Sequence, residues 1–266
     1  MMDIWRENVP VRFGSIDRSD RLTLDSIFSL FQEAAICHAT ALGVGRNAMA
    51  QAGRAWILSR FSLFVQRRPM YEEIIEVSTW PRRWEKLFAL RDYEIRDARN
   101  ISVARGRGGW LVVDLEKRRP LRAQTIMETM PPNEGINALL SGPAGLQARE
   151  NLSKKMERTA LYSDIDYIGH ANNARYIQWI QDVTDMEILT NANQIRFDIN
   201  YLNEVLPGET VELWTAPLVD AGNTAESAAA SAHEEYPRST GAAFAYEGRR
   251  LGSDKAVFRA ELRSGG

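Results

Sequence analysis

Apolar residues between Leu24 and Gly43 fall at Leu24, Ile27, Phe28, Phe31, Ala34, Ala35 and Leu42, with His38 in the same stripe. That three-and-four spacing predicts one long helix, closed by Gly43 and buried over most of its girth. The period then changes. Residues 55–69, 73–81, 87–98 and 104–120 are rich in β-branched and aromatic side chains and are parted by turn residues, which predicts a run of strands. The order returns further on: residues 172–189 carry a helical pattern, and 193–207, 209–217, 226–236, 240–250 and 256–263 read as strands of uneven clarity.

The two halves match residue by residue. A shift of 149 lays Asp17 on Asp166 and Gln32-Glu33 on Gln181-Asp182. A shift of 136 lays Arg60-Phe61 on Arg196-Phe197, Glu73 on Glu209, Glu76 on Glu212, Thr79 on Thr215 and Pro81 on Pro217. Several matches in one register across corresponding elements indicate duplication, with a shorter helix-to-strand loop in the second copy. Residues 1–122 are expected to form the first unit and 156–266 the second; 123–155, with Pro131-Pro132 and Gly142-Pro143, reads as the linker. A long helix followed by an antiparallel meander, twice over, is an α+β pattern in which each sheet curls around its own helix.

Composition removes several classes of function. The chain has 266 residues, of which 44% are hydrophobic, enough for one large or two small cores. A formal net charge of −2 speaks against general nucleic-acid binding, which needs an excess of Lys and Arg on one face. No apolar run approaches the ~20 residues of a membrane span, and the start, Met1-Met2-Asp3-Ile4-Trp5-Arg6, lacks the pattern of a secretory leader. A cytoplasmic protein without membrane attachment is expected. The single cysteine, Cys37, excludes an internal disulfide, and His38, His170 and His233 show no metal-ligand spacing, so neither metal nor cofactor is expected.

Chemistry concentrates in "YSDIDYIGHANNARYIQWIQD", residues 162–182. Asp166 and His170 flank a turn at a helix start. Main-chain N–H groups of Gly169, His170 and Ala171 are expected to be unpaired there and to favour a negative oxygen, while Gly169 lets a substrate approach closely. Asp166 then stands where it can bind or activate water. This set suits thioester hydrolysis, which needs an attacking water or carboxylate, a proton carrier and donors for the carbonyl oxygen. Structural readings stay open beside it: Asp166 as a helix cap, His170 as a hydrogen-bonded structural residue, Asn172 and Asn173 as helix-start residues. Asp164 reads as a structural acid, and Phe28, Phe31, Tyr176 and Trp179 read as core. In the first copy Asp17 persists, but Asp20 and Arg21 stand where the second has Gly169 and His170, so a second working site is not expected.

The run "DIDYIGHANNARYIQW", the first-half run "VRFGSIDRSDRLTLDSIFSLFQEAA", the "TWP" at 79–81, "LFALRDYEIRD" at 87–97 and "GWLVVDLEKRRPLR" at 109–122 together resemble the acyl-acyl-carrier-protein thioesterases of bacteria and plant plastids. The resemblance covers nearly the whole chain. It implies a tandem double hotdog, two antiparallel sheets each wrapped around a long helix, that releases fatty acids from acyl carrier protein in fatty acid biosynthesis. It also implies that the acyl chain lies in the first half and the catalytic site in the second.

Carried over position by position, the family's catalytic aspartate, histidine and glutamate fall on Asp166, His170 and Glu204. The asparagine two places after the aspartate is Ile168 here, leaving Asn172 and Asn173 as the nearest polar substitutes, and Val205 stands where plant members often carry cysteine. Glu204 also has a plain reading as a solvated glutamate in a polar turn. The implied partner is an acidic acyl carrier protein, drawn to basic clusters such as Arg82-Arg83 and Lys117-Arg118-Arg119 with Arg122, which otherwise read as solvated faces. A homodimer is compatible with this reading. An acyl-CoA thioesterase and a non-catalytic acyl-binding hotdog protein remain as alternatives.

Overall fold

The computed structural model describes residues 3–122, 124–127, 130–131, 133–218 and 241–265. It divides into two compact units, residues 1–62 with 68–143 and residues 63–67 with 144–266. The predicted strand at 226–236 and His233 lie outside the described residues.

In the first unit, β1 (Trp5–Pro10) precedes helix α1 (Leu24–Ala41) and a short α2 (Arg46–Gln51); β2 (Arg54–Val65), β3 (Ile74–Glu85), β4 (Phe88–Arg96), β5 (Ser102–Asp114), β6 (Arg119–Leu121) and the single-turn α3 (Gln124–Met127) follow. The strand order is β1-β3-β4-β5-β2, with β6 on β5. The pairs β1–β3, β3–β4, β4–β5 and β5–β6 are antiparallel. Thr23 caps α1 by accepting from the Ser26 N–H, and Gly43, at φ +74°, turns the chain out of the helix. The predicted stripe is the buried one: Leu24, Ile27, Phe28, Phe31, Ala34, Ala35 and His38 face the sheet.

Ring packing fixes how α1 sits on the sheet. Phe28 meets Phe61 edge-on at 4.9 Å, and Tyr93 lies 5.1 Å from Phe31 and 5.5 Å from Phe61, measured between centroids. Gly106, opposite Tyr93, makes room for them, since a Cβ there would come within 2.8 Å of the Phe61 ring. Beyond the sheet, the buried Asp92 carboxylate accepts two bonds from Arg107 and one from the Ala138 N–H, while Arg82 donates to the carbonyls of Asn133 and Ile136. The chain from 133 to 138 is thereby tied to the first unit. Arg82 is therefore an anchor for the predicted linker and not the solvated residue expected.

The second unit repeats the plan. β7 (Ser153–Thr159) leads to α4 (Asn173–Val183) and α5 (Met186–Asn191), then β8 (Gln194–Tyr201), β9 (Thr210–Pro217), β10 (Ala243–Arg250) and β11 (Ala256–Gly265). Its order, β7-β9-β10-β11-β8, is the first unit's order, and its neighbouring strands are antiparallel. Tyr176, Ile177, Trp179 and Ile180 of α4 are buried, and Tyr176 packs edge-on against Tyr201 and Phe258.

One predicted helix divides, and two strands were not predicted. The helix expected over 172–189 breaks at Thr184, whose backbone is extended, because the Asp185 carboxylate caps a new helix by accepting from Glu187 N–H. Thr184 Oγ1 also lies 2.7 Å from the Ile180 carbonyl and 2.8 Å from the Tyr246 hydroxyl. β1 and β7, which strand composition did not indicate, form the last strand of each order.

Candidate active site

The loop before α4 and the loop before α1 have one backbone design. Asp166 N–H donates to the His170 carbonyl at 2.8 Å and Gly169 N–H to the Asp166 carbonyl at 3.0 Å; Asp17 with Arg21, and Asp20 with Asp17, repeat these bonds at 2.9 and 3.0 Å. Each aspartate then accepts a main-chain N–H two residues on, Ile168 for Asp166 and Ser19 for Asp17. The reversal uses a left-handed residue, Gly169 at φ +92° in one loop and Asp20 at φ +56° in the other. A Cβ at Gly169 would meet nothing within 4 Å, so glycine serves the backbone conformation there and leaves the loop open to an approaching group.

What differs is the second carboxylate oxygen. Asp17 Oδ2 is ion-paired to Arg68, which is only 4% exposed, and Ser19 Oγ adds a bond to Oδ1. Burial raises the Asp17 carboxyl, but the hydrogen bonds from Ser19 and Arg68 outweigh it and hold the group below its ordinary value of 3.8. Asp166 Oδ2 has no protein partner among the described residues. The shift of 136 that aligns the strands puts Arg68 on Glu204. The matching positions thus carry a cation that closes the first loop and a carboxylate that leaves the second open.

Glu204 stands beside the histidine. Its Oε2 is 3.4 Å from His170 Nε2, with the Glu204 side chain 46% exposed and His170 half-buried. This contact is longer than a good hydrogen bond. The turn carrying Glu204 is pinned from behind: the Val205 carbonyl accepts Ala171 N–H at 2.9 Å, and Tyr176, its phenol pushed up by burial, hydrogen-bonds the Val205 main chain.

The structure brings Asp166, Gly169, His170 and Glu204 together and revises other expectations. The N–H groups of Gly169 and Ala171 are occupied, by Asp166 and Val205 carbonyls, so neither is the free donor predicted. Among the described residues the N–H groups of His170 and of Asn173, at the first position of α4, have no partner. Asn172 is the cap of α4, its Oδ1 accepting Ala174 N–H, and this removes the cap reading of Asp166. Asp164 is structural as read: it is buried and accepts Leu161 N–H. Ile168, at the family's asparagine position, is 40% exposed and contributes its N–H to Asp166. Cys37 lies on α1, its thiol pushed up by burial and by Glu7 and Glu33, which is the wrong direction for a nucleophile.

Open apolar space occurs in the first unit as a pocket of about 210 Å³ lined by Arg54, Val112, Leu121, Arg122 and Ile126. It adjoins the buried cluster of Met49, Ala89, Val112, Ile126 and Met130.

Comparison with known proteins agrees across both units. The N-terminal domain model of the acyl-ACP thioesterases matches residues 2–128, and the C-terminal domain model matches 147–245. A chloroplastic palmitoyl-acyl carrier protein thioesterase of Cuphea hookeriana is 23% identical over 80% of this chain and 54% of its own length. A chloroplastic oleoyl-acyl carrier protein thioesterase of Coriandrum sativum is 22% identical over 81% of this chain and 63% of its own. The chain thus spans between about half and two thirds of these curated relatives. An acyl-ACP thioesterase from Bacteroides thetaiotaomicron superposes with a TM-score of 0.81 at 23% identity, covering 98% of this chain and 97% of that one. A 12:0-ACP thioesterase from Umbellularia californica gives 0.75 at 17% identity, covering 98% and 93%. These likenesses establish the fold, a tandem double hotdog.

Proposed function

Because the chain belongs to the acyl-ACP thioesterase family, we propose that it hydrolyses acyl-acyl carrier protein to free fatty acid and carrier protein, at one site in the second repeat. The observation that carries this reading is the exchange of Arg68 for Glu204 at matching positions: the second loop keeps an unneutralised Asp166 beside a His170–Glu204 pair. Water held by Asp166 Oδ2 attacks the thioester carbon and gives its proton to the His170–Glu204 pair. The N–H groups of His170 and Asn173 stabilise the oxygen as it becomes negative. Collapse breaks the carbon–sulfur bond, and the proton returns to the departing thiolate, so that acid and thiol are the products.

The setting we propose is fatty acid biosynthesis in the cytoplasm. No helix among the described residues is long and apolar enough to cross a membrane. The apolar pocket of the first unit supports that unit as the holder of the acyl chain, with residues 1–122 and 156–266 as the two functional halves.

The test is an assay of purified protein on a length series of acyl-acyl carrier proteins and on the same acyl groups carried by CoA. Faster release from carrier protein is expected. Equal or faster release from CoA would make it an acyl-CoA thioesterase, and acyl binding with no release would make it a binding protein.

A further inference from the structure

Arg250, the last residue of β10, has no part in the site as described so far. Its Nη2 donates to the main-chain carbonyl of Glu204 at 2.9 Å and reaches Oε2 of Glu209 at 3.1 Å. Glu209 Oε2 in turn accepts Leu206 N–H at 2.9 Å, and Glu209 N–H returns to the Leu206 carbonyl at 3.1 Å. One guanidinium therefore ties both ends of the 204–209 turn, whose middle is anchored by buried Val205. Among the described residues the Glu204 side chain has no partner beyond the 3.4 Å approach to His170, so its aim depends on where this turn holds its main chain.

The first repeat keeps the turn and lacks the tie. Met70 N–H bonds Glu73 Oε2 at 2.9 Å and Glu73 N–H bonds the Met70 carbonyl at 3.1 Å, the counterparts of Leu206 and Glu209. In sheet register Glu76 faces Arg96 as Glu212 faces Arg249, so the position matching Arg250 is Asp97. Asp97 accepts from the N–H groups of Arg99 and Ile101 in its own turn. The arginine tie thus occurs in the repeat that carries the carboxylate and is replaced in the one where Arg68 binds Asp17. We infer that Arg250 is a positioning residue, holding the 204–209 turn so that the Glu204 carboxylate meets His170.

The inference rests on the catalytic role given to Glu204, and a double-variant cycle tells the two apart. Arg250→Met, Glu204→Gln and the double variant are assayed for kcat and KM on one acyl-acyl carrier protein, with thermal unfolding recorded for each. Arg250→Met should lower kcat about tenfold and change KM by less than about twofold, and Arg250→Lys should recover part of the loss. The double variant should be no slower than Glu204→Gln alone, because an arginine acting through Glu204 has nothing left to position. If Arg250→Met melts below the assay temperature, Arg250→Gln replaces it in the same cycle. Losses that multiply, with Glu204→Gln impaired, overturn the positioning role alone. Parent-like turnover of Glu204→Gln overturns the catalytic role of Glu204 and the positioning role with it.

Discussion

At the scale of residues, two aspartates in the same turn have opposite fates because of one neighbour. Asp17 is neutralised by Arg68, whereas Asp166 has no such cation, because Glu204, which approaches His170, holds the position matching Arg68. Asp17→Asn removes the ion pair to the buried Arg68 and should cost on the order of 2 kcal/mol, short of a fully buried pair because Asp17 is partly exposed. Since the Asp17 carboxyl is held below 3.8 in the fold, its contribution is complete above that value and disappears as pH falls through the folded value. Chemical unfolding of parent and variant across the acid range should therefore show two curves that converge below pH 3.8; a constant gap would contradict the ion-pair account. Ile168 gives a second case. With its side chain 40% exposed and its N–H the group in use, Ile168→Ala should change stability by less than about 1 kcal/mol and kcat by less than about threefold, read by melting and steady-state assay.

At the scale of elements, α1 was legible because its apolar stripe faces one sheet along its whole length, leaving the 3.6-residue period undisturbed. β1 and β7 were not. They read WRENVP and SKKMERT and close one end of each strand order, so they carry few core side chains. The break at Thr184 was hidden for a different reason: Asp185 is a favoured cap residue, but the Tyr246 hydroxyl that meets Thr184 comes from a distant strand. Capping also decides Asn172. Replacing it by Ala should lower stability by about 1 kcal/mol, while Asn172→Asp, which keeps the acceptor, should melt close to the parent. A reversed order of the two melting temperatures would contradict the cap role of Asn172.

At the scale of the whole molecule, the duplication was the most legible feature, since the shifts that align Asp17 with Asp166 and Pro81 with Pro217 hold in the structure as matched loops and one strand order. The same arithmetic lays Arg68 on Glu204, a signal present in the sequence whose meaning needed the ion pair to Asp17 to be seen. Arg250 carried no such signal, because the register that links it to Asp97 comes from β-pairing rather than from sequence spacing. Carrier recognition belongs to this scale too. Lys117, Arg118 and Arg119 are exposed, whereas Arg82 is spent on Asp92 and two carbonyls. Lys117→Glu with Arg118→Glu should raise KM for acyl-acyl carrier protein severalfold, by roughly 1 kcal/mol, and leave a small thioester substrate unaffected. Equal effects on both substrates would rule out docking there.

One active site per chain, in the second repeat, is the claim on which the rest depends, and steady-state release of fatty acid from an acyl-acyl carrier protein by Asp166→Asn and Asp17→Asn beside the parent tests it most directly. Both variants are assayed below their melting temperatures. Asp166→Asn should be slower by at least about 10²-fold, having lost the carboxylate that holds the attacking water, while Asp17→Asn should stay within about threefold of the parent. Parent-like turnover by Asp166→Asn, or an equal loss in Asp17→Asn, would contradict the account.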